Sequence, residues 1–169
     1  MTGGGMTTIR VAAVQAQSLP GQIQANLDHA AGLVEQAAAQ GASIVVLPEL
    51  FSCGYVPNRA VWEAAEARGG QTDGWLAATA RRLGIYLGMG AAETDGTDFF
   101  NVFTLAAPDG QIAGRAYKAN AEASIFRRGR AAHLIDTPAG RIGHRDLRRQ
   151  PVRRHLADHA RAASRLHAC

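Results

Sequence analysis

Glu49 follows a short apolar strand and a proline, and Lys118 closes a second strand within an Ala-Tyr-Lys-Ala setting. A glutamate at the carboxyl end of a buried strand in an alternating α/β pattern stands where active sites commonly form, and the chemistry open to it there is proton transfer. The plainer alternative is an exposed loop carboxylate. For Lys118, burial would disfavour the charged form because the ammonium is desolvated. Its plainer alternative is a surface lysine whose stem lies on apolar neighbours while the head stays in water. Cys53 lies four residues beyond Glu49 and is a thiol within reach of the same chemistry in sequence terms.

The elements that must position these groups can be read from periodicity. Ile9 to Ala16 is a nearly continuous apolar run with β-branched residues, which predicts a strand covered on both faces. After the Ser18-Leu19-Pro20-Gly21 turn, Leu27, Ala30, Ala31, Val34, Ala37 and Ala38 recur at helical steps, and Gly41 stops the helix. Ser43 to Leu47 predicts a second buried strand, which Pro48 ends just where Glu49 emerges. Strand, helix and strand in that order imply a right-handed parallel crossover.

Asp73 can cap a helix over Gly74 to Leu83, with Trp75, Leu76, Thr79 and Leu83 on one face and Gly84 at its end. Ile85 to Met89 predicts a third strand. Asn101 to Ala106, a Pro108-Asp109-Gly110 turn and Gln111 to Lys118 predict an antiparallel hairpin. His133 to Thr137, Pro138-Ala139-Gly140 and Arg141 to Gly143 begin the same pattern again. The alternation of strands and helices places the chain in the α/β class.

Three blocks carry a family resemblance, in order along the chain: IRVAAVQAQ, GASIVVLPELFSCGY and NVFTLAAPDGQIAGRAYKANAEASIF. Together they resemble the nitrilase superfamily of carbon–nitrogen hydrolases over about Ile9 to Gly143. The resemblance implies an incomplete four-layer αββα sandwich. It also implies hydrolysis of carbon–nitrogen bonds other than peptide bonds in a small amide, nitrile or carbamoyl compound. No cofactor or metal is implied, and a homo-oligomer is expected of the intact protein.

In that family a glutamate acts as general base, a cysteine thiolate attacks the carbonyl or nitrile carbon, and a lysine stabilises the developing oxyanion. The resemblance carries the base to Glu49 and the cation to Lys118. A covalent route needs such a base twice, first for the thiol and then for water. By analogy with lost oxyanion donors, the cation is worth roughly 3 kcal/mol. A second, supporting glutamate follows the lysine in the family, and Glu122 is the nearest match here.

The family's nucleophile follows the lysine at a strand-to-helix elbow, typically as Gly-x-x-x-Cys-x-Asp. Gly140 to Gly143 (GRIG) matches the strand that leads into that motif, but the motif itself does not follow. Cys53 lies on the wrong side of the lysine for the part and is expected to be a small structural cysteine. Cys169, the last residue of a basic stretch with no strand before it, is no better placed.

Charge and composition change abruptly after Gly143. Residues 144–169 hold seven of the 18 Lys+Arg and two of the 14 Asp+Glu, leaving 11 basic and 12 acidic residues before them. All ten aromatic residues lie at or before Phe126, and four of the six histidines at or after His144. The chain therefore divides into a glycine-rich lead over 1–8 expected to be disordered, a partial hydrolase domain over 9–143 and a basic tail over 144–169.

Two accounts of the tail stand side by side. It can be a frameshifted reading, because dropping one base from a permitted codon choice yields Ile-Gly-Ile-Cys-Ala-Asp-Asn, close to the family's nucleophile motif. On that account the polypeptide is expected to be inactive and poorly stable. Alternatively it is a genuine C-terminus on a non-catalytic domain, whose arginines bind nucleic acid or an acidic partner, or on a subunit that supports an intact relative. Nucleic acid is the weaker idea, since the tail lacks aromatic residues for base stacking. Two distant cysteines, no signal-peptide pattern and no apolar stretch of spanning length lead to the expectation of a reducing, cytoplasmic setting without membrane contact.

Overall fold

The computed structural model describes residues 9–55, 58–119, 121, 124–129, 134–138 and 140–143. The lead over 1–8, Glu122, and the tail over 144–169 with Cys169 lie outside the described residues.

Five strands form one sheet in the order β1 (Val11–Ala13), β2 (Ile44–Val46), β3 (Tyr86–Thr94), β4 (Phe99–Ala106), β5 (Ile112–Tyr117). The first three are parallel, as strand–helix–strand connections require, and β3, β4 and β5 follow as antiparallel neighbours. α1 (Ile23–Ala39) links β1 to β2, and α3 (Gln71–Leu83) precedes β3. Between β2 and α3 lies α2 (Ala60–Glu63), a single turn too short to show periodicity in the sequence. A separate antiparallel pair, β6 (Leu134–Thr137) and β7 (Gly140–Gly143), completes the described elements.

Side-chain alternation gives the main sheet two different faces. Val45, Leu47, Leu87, Met89 and Ala106 pack against Leu27, Ala30 and Val34 of α1 and Leu76 and Ala80 of α3, forming the larger core. On the opposite face Ile44, Tyr86, Phe103, Leu105 and Ala116 pack against Ile135 of β6, with Ile142 of β7 beside them. A Cβ on Gly114 would stand 2.7 Å from Ile135 Cγ2, so glycine there is what lets β6 sit down on β5. The layers run α, β, β in that order, which agrees with the α/β class and with the first part of an αββα sandwich. No helix among the described residues is long and apolar enough to cross a membrane.

The structure corrects three sequence expectations. The first strand is shorter than Ile9 to Ala16 and is not covered on both faces: it ends the sheet, and Val11 is 60% exposed. The helix expected to start after an Asp73 cap starts at Gln71 instead, with Gly70 at the cap position and Asp73 inside the first turn. Asp73 still serves the helix start, since its Oδ2 accepts the Gly69 N–H at 2.7 Å. The third strand runs on past Met89 to Thr94, because antiparallel pairing with β4 supplies partners from Leu87 to Thr94.

Candidate functional site

Glu49 is placed by the end of β2. Leu47 N–H donates to the Gly88 carbonyl at 2.8 Å, Gly90 N–H donates to the Pro48 carbonyl at 3.2 Å, and the chain then turns away from the sheet. Pro48 has no N–H to continue the ladder, so the turn comes where pairing stops. The residue after the glutamate, Leu50, has φ +51°, a left-handed conformation that costs a non-glycine residue about 1–2 kcal/mol. Close approach enforces it: a Cβ on Gly90 would stand 2.6 Å from both Glu49 Cα and Leu50 N. Glycine at 90 therefore allows the loop to lie flat on β3 and fixes the direction in which Glu49 leaves it.

A second anchor holds the far side of that loop. Asn26, 1% exposed at the start of α1, donates from Nδ2 to the carbonyls of Leu19 at 2.8 Å and Ser52 at 2.9 Å. Its Oδ1 accepts the Leu19 N–H at 2.6 Å. Gly21 N–H adds a bond to the Cys53 carbonyl at 2.8 Å. The loop after β1 and the loop after β2, both at the carboxyl ends of parallel strands, are thus tied through one buried amide.

Lys118 stands one residue past β5, and its N–H donates to the Asn101 carbonyl at 2.9 Å, which extends the pairing with β4 by one step. It is 7% exposed. Its Nζ donates to Glu49 Oε1 at 2.5 Å, so two residues 69 positions apart form one ion pair. The Glu49 side chain is 43% exposed, which leaves the carboxylate accessible from one side while its partner is enclosed. Asn101, 4% exposed, donates from Nδ2 to the same Oε1 at 2.7 Å.

The expected base and cation are therefore brought together. Glu122, the expected supporting residue, lies outside the described residues. Cys53 is not brought to the pair as a reactive group. It is fully buried among Leu50, Val61 and Phe126, its thiol donates to the Leu50 carbonyl at 3.6 Å, and burial pushes its pKa up to about 11. A thiol so protonated at neutral pH is a poor nucleophile, as expected of a structural cysteine. Among the described residues no group of three or more His, Cys, Asp or Glu side chains could hold a metal ion.

Asn26 and Asn101 were not singled out by sequence reasoning, since an asparagine shows its partners only after the chain has folded. One available signal was passed over: Lys118 is the sole lysine in the chain, all 17 other Lys+Arg positions being arginine. A lysine offers a compact point charge where arginine offers a planar fork, so its single occurrence sets this position apart from the other cationic ones.

The helical face of the sheet carries a separate ionic cluster. Arg115 on β5 pairs with Asp73 at 2.5 Å and Glu93 at 3.3 Å and donates to Thr104 Oγ1 at 2.7 Å. Tyr117 Oη donates to Glu93 Oε1 at 2.6 Å, with Arg68 against the same carboxylate at 3.1 Å. The space among these residues holds only about 10 Å³, so the cluster is a packed tie between α3 and the sheet.

Comparison with known proteins gives the family and the fold. An aliphatic nitrilase of Sinorhizobium fredii is 32% identical over 163 residues, covering 82% of this chain and 52% of its own length. An omega-amidase of Danio rerio is 32% identical over 152 residues, covering 82% of this chain and 54% of its own. The chain thus spans about half the length of these curated relatives. Among solved structures, a CN-hydrolase superfamily protein of Xanthomonas campestris superposes with a TM-score of 0.73 at 27% identity, over 82% of this chain and 52% of that one. Nit3 of Saccharomyces cerevisiae, a nitrilase-superfamily member, gives 0.72 at 27% identity, over 80% and 54%. The carbon-nitrogen hydrolase family model matches residues 10–145, a span that includes β1, both loops tied by Asn26 and the Glu49–Lys118 pair, and the chain belongs to that family.

Proposed function

We propose that Glu49 and Lys118 are the general base and the oxyanion-stabilising cation of a Glu-Lys-Cys hydrolase acting on a small amide, nitrile or carbamoyl compound. The observation that carries the reading is the 2.5 Å pair itself, with an enclosed lysine and a carboxylate open on one side. For an amide, the carboxylate takes the proton of a thiol as sulfur bonds to the carbonyl carbon. The carbonyl oxygen becomes an anion facing Nζ. That anion collapses as the C–N bond breaks, and the proton passes to the departing nitrogen, leaving a thioester. Glu49 then takes a proton from water as its oxygen attacks the thioester, and returns that proton to the departing sulfur.

Neither cysteine of the chain suits the nucleophile's part: Cys53 is buried and protonated, and Cys169 lacks the Gly-x-x-x-Cys spacing, Arg165 standing where the glycine should be. The reading therefore includes a frame change near His144, after which a cysteine-bearing segment follows GRIG, and it treats the 169-residue polypeptide as inactive. The break in charge and aromatic content after Gly143 supports this. A soluble, cytoplasmic enzyme that assembles as a homo-oligomer is the corresponding expectation for the intact protein.

The test begins with resequencing of the gene from the codons for Gly140 onward. A one-base shift that opens a long downstream frame with Cys-x-Asp, and whose product releases ammonia from a panel of simple amides and nitriles, is the expected result. Glu49→Gln and Lys118→Met should each lower kcat in that product by a factor of about 100 or more. Should the frame stand as given and the purified chain hydrolyse nothing, the pair belongs to a non-catalytic domain. Hydrolysis by the 169-residue chain itself would overturn the assignment of the nucleophile.

A further inference from the structure

Two donors converge on one oxygen of the Glu49 carboxylate. Lys118 Nζ reaches Oε1 at 2.5 Å and Asn101 Nδ2 reaches the same atom at 2.7 Å, while Oε2 takes no hydrogen bond among the described residues. Asn101 also accepts the Lys118 N–H through its own carbonyl at 2.9 Å. One buried residue of β4 therefore holds the base by its side chain and the cation by its backbone. A salt bridge alone would leave the carboxylate free to turn about its last bond and offer either oxygen to Nζ. A second donor, fixed at a different angle by the strand, removes that freedom.

We propose that Asn101 is a positioning residue that commits Oε1 of Glu49 to Lys118 and so leaves Oε2 as the oxygen that accepts and returns the proton. The choice of an amide fits the task. Its NH₂ can only donate toward the carboxylate, and it carries no charge that would compete with Lys118 for the anion or repel it. An aspartate in the same volume would place a second carboxylate against Oε1. A leucine would keep the volume and lose the donor. The inference rests on reading Glu49 as the base, yet its geometric part can be tested without catalysis.

Lys118 being the only lysine, lysine-selective ¹⁵N labelling of the full 169-residue chain gives a single side-chain Nζ resonance. Acylation by an amine-reactive ester can likewise be followed at a single side chain by mass spectrometry. In Asn101→Leu the Nζ resonance should shift and broaden as the carboxylate turns. Lys118 acylation should quicken about tenfold relative to amide exchange at Val34, a buried residue of α1 that reports global opening. Asn101→Asp should shift the resonance as well, but its added carboxylate beside Nζ holds the ammonium charged, so acylation should not quicken as it does in Asn101→Leu. Glu49→Gln, which removes the anion, should move the resonance as well and sets the scale for losing the pair.

If Asn101 only supports the fold, Leu and Asp variants would lower the melting temperature while the Nζ signal and the normalised acylation rate stay at wild-type values, and the proposal falls. Loss of the signal changes in Glu49→Gln as well would mean that Lys118 is not held by Glu49, which also overturns it. Retained hydrolysis by a Glu49→Gln variant of the frame-restored protein would instead refute the base assignment while leaving the Asn101 measurement intact.

Discussion

Replacing Gly90 by alanine puts a methyl group 2.6 Å from Glu49 Cα and Leu50 N and 3.0 Å from Glu49 C, all backbone atoms. Ordinary contact begins near 3.4 Å, so the loop must retreat by about 0.8 Å. It is pinned on both flanks by the Pro48–Gly90 and Leu47–Gly88 hydrogen bonds, and Leu50 already sits at φ +51°. Overpacking against a fixed neighbour costs about 1–3 kcal/mol, which for a domain of this size lowers Tm by roughly 2–10 °C. The same retreat draws Glu49 off Lys118, so the single Nζ resonance should move too. Urea unfolding followed by tryptophan fluorescence measures the first effect, and lysine-selective NMR the second. Gly32→Ala is the control: no atom lies within 4 Å of its added methyl, and in the middle of α1 it should gain up to about 1 kcal/mol. A Gly90→Ala protein as stable as wild type, with an unmoved Nζ signal, would refute the claim that close backbone approach aims Glu49.

Three further outcomes are expected. Asn26→Leu strips three hydrogen bonds from a buried amide and strands the Ser52 and Leu19 carbonyls, at a cost of about 2–4 kcal/mol. Limited proteolysis should then cut first in the loop after Glu49, and unaltered protection there would count against the tie. Arg115→Met leaves Asp73 and part of Glu93 without their partner in a side-chain cluster that is 15% exposed or less, and should cost about 3–5 kcal/mol in urea unfolding. A loss below 1 kcal/mol would mean that the cluster is solvated. Cys53, with its folded pKa near 11 against an ordinary 9.0, holds its proton in the folded state after the unfolded chain has lost it. Its contribution is therefore complete below pH 9 and declines by about 2–3 kcal/mol as pH rises from 9 through 11. The stability difference between wild type and Cys53→Ala, measured at pH 8 and pH 10.5, isolates this group, and no pH dependence in that difference would contradict the burial argument.

Local pattern brought Glu49 and Lys118 into view, through an apolar run that stops at Pro48 and a β-hairpin with a Pro-Asp-Gly turn, but it favoured a loop carboxylate and a surface lysine, and only the family resemblance gave them roles. Asn26 and Asn101 were not legible, because their value lies in partners 7 to 52 residues away and nothing in their immediate neighbours names those partners. Asp73 was half legible. Its place near a helix start was visible, but not the guanidinium of Arg115 that arrives from β5. The extent of β3 escaped because Gly88, Gly90 and two alanines have little strand propensity. The two glycines are there because Phe103 and the Glu49 loop press on that face, with a Cβ on Gly88 landing 2.2 Å from the Phe103 ring. The exposure of Val11 depends on which strand ends the sheet, a property of topology rather than of local pattern.

The β4–β5 hairpin also governs which changes of chain length the site could survive. Its register shifts between Leu105 and Ala106, where Leu105 faces Gly114 but Ala106 faces Ile112. This irregularity lies beside the turn, whereas Asn101 and Lys118 lie at the opposite end of the ladder. A residue gained or lost in the Pro108–Gly110 turn can be taken up there, since a bulge absorbs one residue of mismatch. A single insertion between Ala116 and Lys118 has no such buffer, and would send the lysine to the helical side of the sheet. The hairpin tip can thus take a change of length that the open end, which carries Asn101 and Lys118, cannot.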